Sequence, residues 1–320
     1  MKLDKKNFFY HLNNNFLFEE NPSIAVAVSG GPDSLALVYL LNQWVKLKNG
    51  SIIAILVDHK LRKESFNECK FTSNFLNKLN INNKILNVSK KNLQKKNMSE
   101  ARDNRYTKLI NYCKKNNIIH LFLAHHLNDN LETFLIRKVG ASNLEGLESM
   151  TFSKSINKIQ IIRPLLKFTK IQILQFNKKN NIPYFFDPSN SNTKYTRVIV
   201  RDFLTKKNII NDIKKDYNLV IRYTPFYKKM INVILLKLII QIKKQSTIIS
   251  LERFEKLDDC IKEKIIEKIH TYLKKNQNKL RYSKIRDLII KLKNSKEQKF
   301  NLASMIVVKS NKNLNFSINK

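Results

Sequence analysis

Five short clusters of polar residues in this 320-residue chain carry side chains able to do chemistry. Ser29-Gly30-Gly31-Pro32-Asp33-Ser34 combines two hydroxyls, a carboxylate and a glycine pair that lets backbone N–H groups approach a ligand. Ahead of a helix, whose N-terminal dipole favours anions, such a loop suits a phosphate. It has neither the Gly-Lys-Ser/Thr ending of a Walker A loop nor the third glycine of a dinucleotide fingerprint. Asp58 and His59 close an apolar run. Arg102 and Arg105 are three apart, so they share a helical face, and paired guanidiniums suit phosphate or carboxylate. His126, Asp129 and Glu132 recur every three residues and put an imidazole and two carboxylates together at a helix start. That set could hold a cation, Mg²⁺ or a substrate ammonium, and move a proton. Arg197 and Arg201 share another face, beside an Asx-type turn at 187–190.

Positioning these clusters takes a particular scaffold. Apolar runs at 23–31, 51–59, 84–88, 120–126 and 158–165 read as strands. They alternate with helical stretches at 33–47, 63–79, 99–117 and 128–138. The fold class expected is α/β, a parallel sheet with helices on both faces. Ligands bind such sheets at the carboxyl ends of the strands, where these polar clusters fall. After Pro225 there is neither glycine nor proline. The spacing predicts helices over 232–244 and 260–275, and the tail from about 298 reads as one or two short strands. The expected division is a catalytic domain at 1–210 and a smaller, mostly helical domain at 211–320.

The formal net charge of +35 points to a polyanionic partner, most simply nucleic acid. Cys69, Cys113 and Cys260 are far apart in sequence, which excludes a CxxC redox pair and a zinc-ligand cluster. No run of about 18 uncharged apolar residues occurs, so no membrane span is expected. The N-terminus lacks an apolar leader, and the expected setting is the cytoplasm, or the plastid stroma if the gene is plastid-borne.

The clusters also carry a resemblance. Ser29–Ser34 is similar to the SGGxDS loop of the N-type ATP pyrophosphatases, and within them the chain most resembles the tRNA(Ile)-lysidine synthetase family. The further matching segments, in order, are Val57-Asp58-His59-Lys60-Leu61-Arg62; Glu100-Ala101-Arg102-Asp103-Asn104-Arg105-Tyr106; His125–Thr133; Arg163-Pro164-Leu165-Leu166; and Asp187–Arg197 with Arg201. The match is dense over about 20–205, and the resemblance leads to the expectation of a short form without the third domain of longer members. Departures are Asn128 where the family shows an acid, Lys138 where a glycine is usual, Asn192 for Asp and Val198 for Asn.

The resemblance implies ATP and Mg²⁺ as cofactors, with L-lysine and the CAU-anticodon isoleucine tRNA as substrates, and no obligate protein partner. ATP would bind Ser29, Gly30, Gly31, Pro32, Asp33 and Ser34, with Asp58 and His59 near the adenosine. Asp33, His126, Asp129, Glu132, Arg102 and Arg105 would be catalytic, Asp33 and Asp129 holding the metal. Arg62, Asn190, Lys194, Arg197 and Arg201 would hold tRNA, with help from the C-terminal domain. The implied reaction adenylates C2–O of the wobble cytidine, then lets lysine's ε-amine displace AMP. Two alternatives on the same residues are another tRNA-modifying or amidating enzyme of this fold and a noncatalytic RNA-binding relative.

Overall fold

A computed structural model describes residues 2–58, 65–87, 98–185, 196–274, 280–294 and 298–318. His59, Arg62, Asn190 and Lys194 lie outside them, and Arg102 is described in its backbone only. The chain divides into two compact units, Met1–Val220 and Ile221–Lys320.

The first unit begins with α1 (Lys5–Asn15), which the hydrophobic pattern did not announce. Asp4 caps it by accepting the Asn7 N–H at 2.8 Å, and Phe8, His11 and Leu12 form its buried face. There follow β1 (Ser23–Val28), α2 (Pro32–Leu47), β2 (Ser51–Asp58), α3 (Ser65–Lys78), β3 (Asn82–Asn87), α4 (Met98–Lys115), β4 (His120–Phe122), α5 (Leu127–Val139) and α6 (Leu144–Leu147). β5 (Ser153–Ile156), β6 (Ile159–Ile162), α7 (Lys170–Lys179) and α8 (Thr196–Phe203) come next, and α9 (Lys207–Leu238) runs across the division at Val220.

The sheet order is β3-β2-β1-β4-β6-β5, parallel except for β5. Alternation along β1 fills two cores at once: Ile24, Val26 and Val28 join Trp44 of α2 on one face, and Ala25 packs with Leu109 and Cys113 of α4 on the other. The β1, β2 and β4 ends are thereby fixed, and with them the loops that carry the polar clusters.

Three strands rather than one or two follow residue 298, and two further differences from the sequence expectation have local causes. The fifth strand is the second arm of a hairpin, β5–β6, whose two turn residues Asn157 and Lys158 both adopt positive φ (52° and 68°). That is the hairpin turn normally marked by glycine, and a lysine in it hides the signal. The helix read over 232–244 stops at Leu238, and Ile239–Lys243 is instead strand β7. The isoleucines there suit either element, and the turn at Lys244-Gln245 contains no glycine or proline.

In the second unit β7, β8 (Ser246–Ser250), α10 (Leu251–Glu255), α11 (Asp259–Lys274), α12 (Tyr282–Asn294), β9 (Lys299–Leu302), β10 (Met305–Lys309) and β11 (Asn313–Ile318) follow one another. The strands make one antiparallel sheet, β7-β8-β11-β10-β9. Ile265, Ile269, Ile285, Phe300 and Phe316 are among the side chains of its core. Among the described residues no helix is long and apolar enough to cross a membrane.

Candidate active site

The Ser29–Ser34 loop leaves β1 and becomes the first turn of α2. Gly30 sits at φ +80°, a conformation L side chains rarely adopt, and a Cβ there would lie 2.6 Å from the Thr72 hydroxyl. Ser34 accepts the Ser29 N–H at 3.1 Å and donates to the Gly31 carbonyl at 3.0 Å, so its buried hydroxyl braces the loop from inside. Pro32 opens α2, where its missing N–H costs nothing, and no side chain caps the Gly31 position. The result is a helix N-terminus whose dipole faces a cleft.

That cleft has a volume of about 520 Å³. Ser29, Gly31, Pro32 and Asp33 line it from the loop; His126, Asn128, Asp129 and Glu132 line it from the start of α5. Glu68, Arg105, Lys170, Phe185 and Arg201 complete the wall. Four segments read separately in the sequence are therefore one site.

The α5 cluster is organised differently from a cation cage. His126 is the N-cap: its Nδ1 accepts the Asp129 N–H at 3.4 Å, and Asp129 Oδ2 accepts the His126 N–H at 2.9 Å. The imidazole's other nitrogen, Nε2, lies 3.8 Å from Asp33 Oδ1. Glu132 is buried, and its two carboxylate oxygens take Arg201 Nε at 2.8 Å and Nη2 at 3.4 Å. The Glu132 hydrogen bond holds the Arg201 guanidinium above its ordinary pKa, with Asp129 and Asp33 adding attraction. Among the described residues no group of three or more His, Cys, Asp and Glu is arranged to hold a metal.

The remaining expectations divide. Arg201, read as a tRNA contact, is on the cleft wall and paired with Glu132. Arg197 is exposed on α8, near enough to Arg137 that, together with Arg137's burial, it lowers that guanidinium's pKa. Asp58 is buried at the carboxyl end of β2 and is not among the residues that line the cleft. With burial as the main cause, Asp58 and Glu68 push the Cys69 thiol up to about 11. Gly30 is beneath the cleft surface and accepts the Phe185 N–H at 3.0 Å.

Of the three lining residues that sequence reasoning missed, Lys170, Glu68 and Phe185, Lys170 is the one bonded to the loop. Its ammonium contacts both oxygens of Asp33 at 2.7 Å, and its own N–H donates to Asn128 Oδ1 at 3.0 Å. A signal existed: Thr169-x-x-Gln172 is a capping box, which places Lys170 at the first position of a helix. Phe185 and Glu68 carried no comparable signal.

The family whose description is the PP-loop domain matches residues 3–208. The tRNA(Ile)-lysidine synthase of Orientia tsutsugamushi (strain Boryong) is 38% identical over 198 residues, 62% of this chain and 45% of that protein. The enzyme of the same name from Wolbachia pipientis wMel is 38% identical over 198 residues, covering 61% and 46%. The matched region thus spans about half the length of these curated relatives. Among solved structures, the U34-tRNA thiolase NcsA from Methanococcus maripaludis superposes with a TM-score of 0.58 at 20% identity. That match covers 70% of this chain and 78% of the other, and it shows a common fold.

Proposed function

The chain belongs to the PP-loop domain family, and on that premise we propose that it is a tRNA(Ile)-lysidine synthetase. The observation that carries the reading is the cleft. The glycine loop, His126, Asp129, Glu132, Arg105 and Arg201 converge on it, within the stretch that is 38% identical to enzymes of that name. In this reading the enzyme uses ATP to adenylate C2–O of the wobble cytidine in a CAU anticodon. The ε-amine of lysine then attacks C2, the C–O bond breaks, and AMP leaves with the bonding pair.

Each residue has a physical task. The loop N–H groups and the α2 dipole cradle the phosphates and absorb charge developing on the departing pyrophosphate. Arg105 and the Arg201 fork, held by Glu132, stabilise the crowded negative charge of the α-phosphate and its acceptor oxygen. Because His126 Nδ1 accepts the Asp129 N–H in the capping box, the neutral ring carries its proton on Nε2 and serves there as a donor, toward Asp33 or a phosphate oxygen, with Asp129 fixing the ring. Mg²⁺ in a nucleotide site needs one or two carboxylates, phosphate oxygens and water, not a protein cage. Asp33 and Asp129 meet that demand and would hold it there. Bound so, Mg²⁺ would neutralise the charge of the leaving pyrophosphate.

A net charge of +35 gives the tRNA a reason to bind, and an anticodon base can be splayed into a cleft without melting a duplex. We assign part of that contact to the C-terminal unit, where Lys284, Lys291 and Lys299 line a groove between α12 and β9. Arg62, Asn190, Lys194 and Arg197 remain proposed tRNA contacts, Asp58 and His59 proposed adenosine contacts, and Arg102 a proposed catalytic group. Sulfur transfer is disfavoured. Cys69, Cys113 and Cys260 are free thiols on three different helices, and burial holds the Cys113 thiol up at about 12.

The test is incorporation of radiolabelled lysine into an unmodified isoleucine tRNA bearing CAU, with and without ATP. Label that needs ATP and disappears when the wobble cytidine is changed is the expected result. ATP cleavage to AMP and pyrophosphate without label overturns the substrate assignment and points to another acceptor on the same fold.

A further inference from the structure

Lys170 occupies an expensive position. As the first residue of α7 it sets a cation at the positive end of a helix dipole, which disfavours it. Its compensation is Asp33, itself in the first turn of α2, whose two oxygens both accept from the ammonium. Neither side chain is sealed from water: 31% of Lys170 and 26% of Asp33 remains exposed, on the wall of the cleft. A contact whose only purpose was to brace the fold would gain from burial and from more partners. This one is a single two-toothed contact at the mouth of a site.

The anchor of Lys170 is equally specific. Thr169 and Gln172 close the capping box, and another N–H at the helix start, that of Lys170, goes to Asn128 Oδ1 at 3.0 Å. Asn128 stands two residues after the cap of α5. The starts of α5 and α7 are thus tied together by an uncharged acceptor, and Lys170 is aimed at Asp33 from a fixed base.

We propose that Lys170 is the resident counter-cation of Asp33, exchanged for a divalent ion when nucleotide enters, after which its ammonium binds the nucleotide's phosphates. Asn128 is the residue that positions it for both contacts. This rests on the ATP-binding reading of the cleft and adds a residue to it. The logic is one of charge. An empty cleft cannot leave the Asp33 carboxylate unneutralised beside Asp129 and Glu132. A filled one cannot keep a monovalent ammonium where Mg²⁺ must sit. Freed, the ammonium has a polyphosphate within reach of its flexible four-carbon stem, between two helix N-termini that favour the same anion.

The exchange predicts opposite changes from one substitution. Lys170→Met removes the competitor of a metal ion and the partner of the phosphates together. In the full chain without nucleotide, Mn²⁺ affinity read by electron paramagnetic resonance should rise about tenfold. Affinity for α,β-methylene-ATP with Mg²⁺, read by calorimetry, should fall about tenfold. Lys170→Arg should restore most of both, and Asn128→Ala should reproduce both signs at smaller size. Circular dichroism establishes that each variant is folded. Two affinities that fall together, as loss of a structural brace would give, or either one unmoved in Lys170→Met, overturns the proposal. A wild-type chain that binds no nucleotide analogue overturns the ATP reading itself, and that outcome is separate from a wild type that binds while Lys170→Met changes nothing.

Discussion

At each end of the first sheet an imidazole meets a carboxylate, and the two meetings are built differently. At the amino end of β4, His120 is buried with both ring nitrogens engaged: Nδ1 with Gln160 Oε1 at 2.8 Å and Nε2 with Glu19 Oε2 at 2.6 Å. At the carboxyl end, His126 uses Nδ1 and its backbone for a cap and leaves Nε2 at 3.8 Å from Asp33, beyond hydrogen-bond length. The first arrangement is complete and leaves nothing to bind. The second holds charges of both signs around open volume, with Lys170 and Arg201 on one side of the balance and Asp33, Asp129 and Glu132 on the other. Parallel sheets place ligands at carboxyl ends because helix dipoles and loops gather there, and the unfinished hydrogen bonding marks the same end independently.

The largest expected effect is at Asp33. Asp33→Ala should lower ATP-dependent lysine incorporation by a factor of about 10³ or more, the size expected when a preorganised electrostatic group is lost. The thermal unfolding midpoint should move little, since the side chain is partly exposed and its ion pair with Lys170 is open to solvent. Retained activity would mean that the carboxyl end is no more a site than the amino end.

Arg201→Met probes the same end through stability as well. It strands the buried Glu132 carboxylate without its partner, and breaking such a pair from one side should cost about 2–3 kcal/mol. Urea denaturation measures it. Adding Glu132→Gln should recover most of that stability and none of the lysine incorporation. Recovery of both would reduce the pair to architecture, like His120 and Glu19.

Gly30→Ala should act on binding with a smaller penalty. The positive φ and the Thr72 hydroxyl together cost about 1–2 kcal/mol. Thr72 cannot yield freely because it donates to the Glu68 carbonyl at 2.8 Å. The loop would shift, and nucleotide affinity should fall about tenfold by calorimetry. Unchanged affinity would detach the loop from the nucleotide.

Local chemistry decided how much of this could be read in the sequence. The loop and the α5 cluster were legible because their meaning is contained in six or seven neighbouring residues, and apolar runs of five to nine residues marked five of the six strands of the first sheet. The capping box of His126 and Asp129 was half legible: the spacing showed a shared face but not that both groups serve the helix start. Lys170–Asp33, Arg201–Glu132 and Glu19–His120 join residues 137, 69 and 101 positions apart, and no periodicity reports such contacts. The hairpin β5–β6 and the change from α9 to β7 were hidden by the absence of glycine and proline, whose positions are the strongest punctuation a sequence offers.

The smallest effect belongs to the amino end. Partial burial pushes the Glu19 carboxyl up. Its own backbone N–H, the His120 ring and the Ser23 N–H at 3.1 Å outweigh that, so its pKa lies below the ordinary value of 4.5. A carboxylate with a lowered pKa in the folded chain adds stability that is present above about pH 4.5 and is lost as pH falls through the folded value. With 42% of the side chain exposed, screening keeps that contribution under about 1 kcal/mol. Glu19→Gln should therefore cost little at neutral pH and flatten the fall of stability below pH 4.5, seen in denaturation midpoints between pH 3 and 7. It should leave lysine incorporation where it was. A loss of incorporation in this variant, with stability intact, would carry function to the end of the sheet whose hydrogen bonds are already complete and would undo the distinction between the two imidazoles.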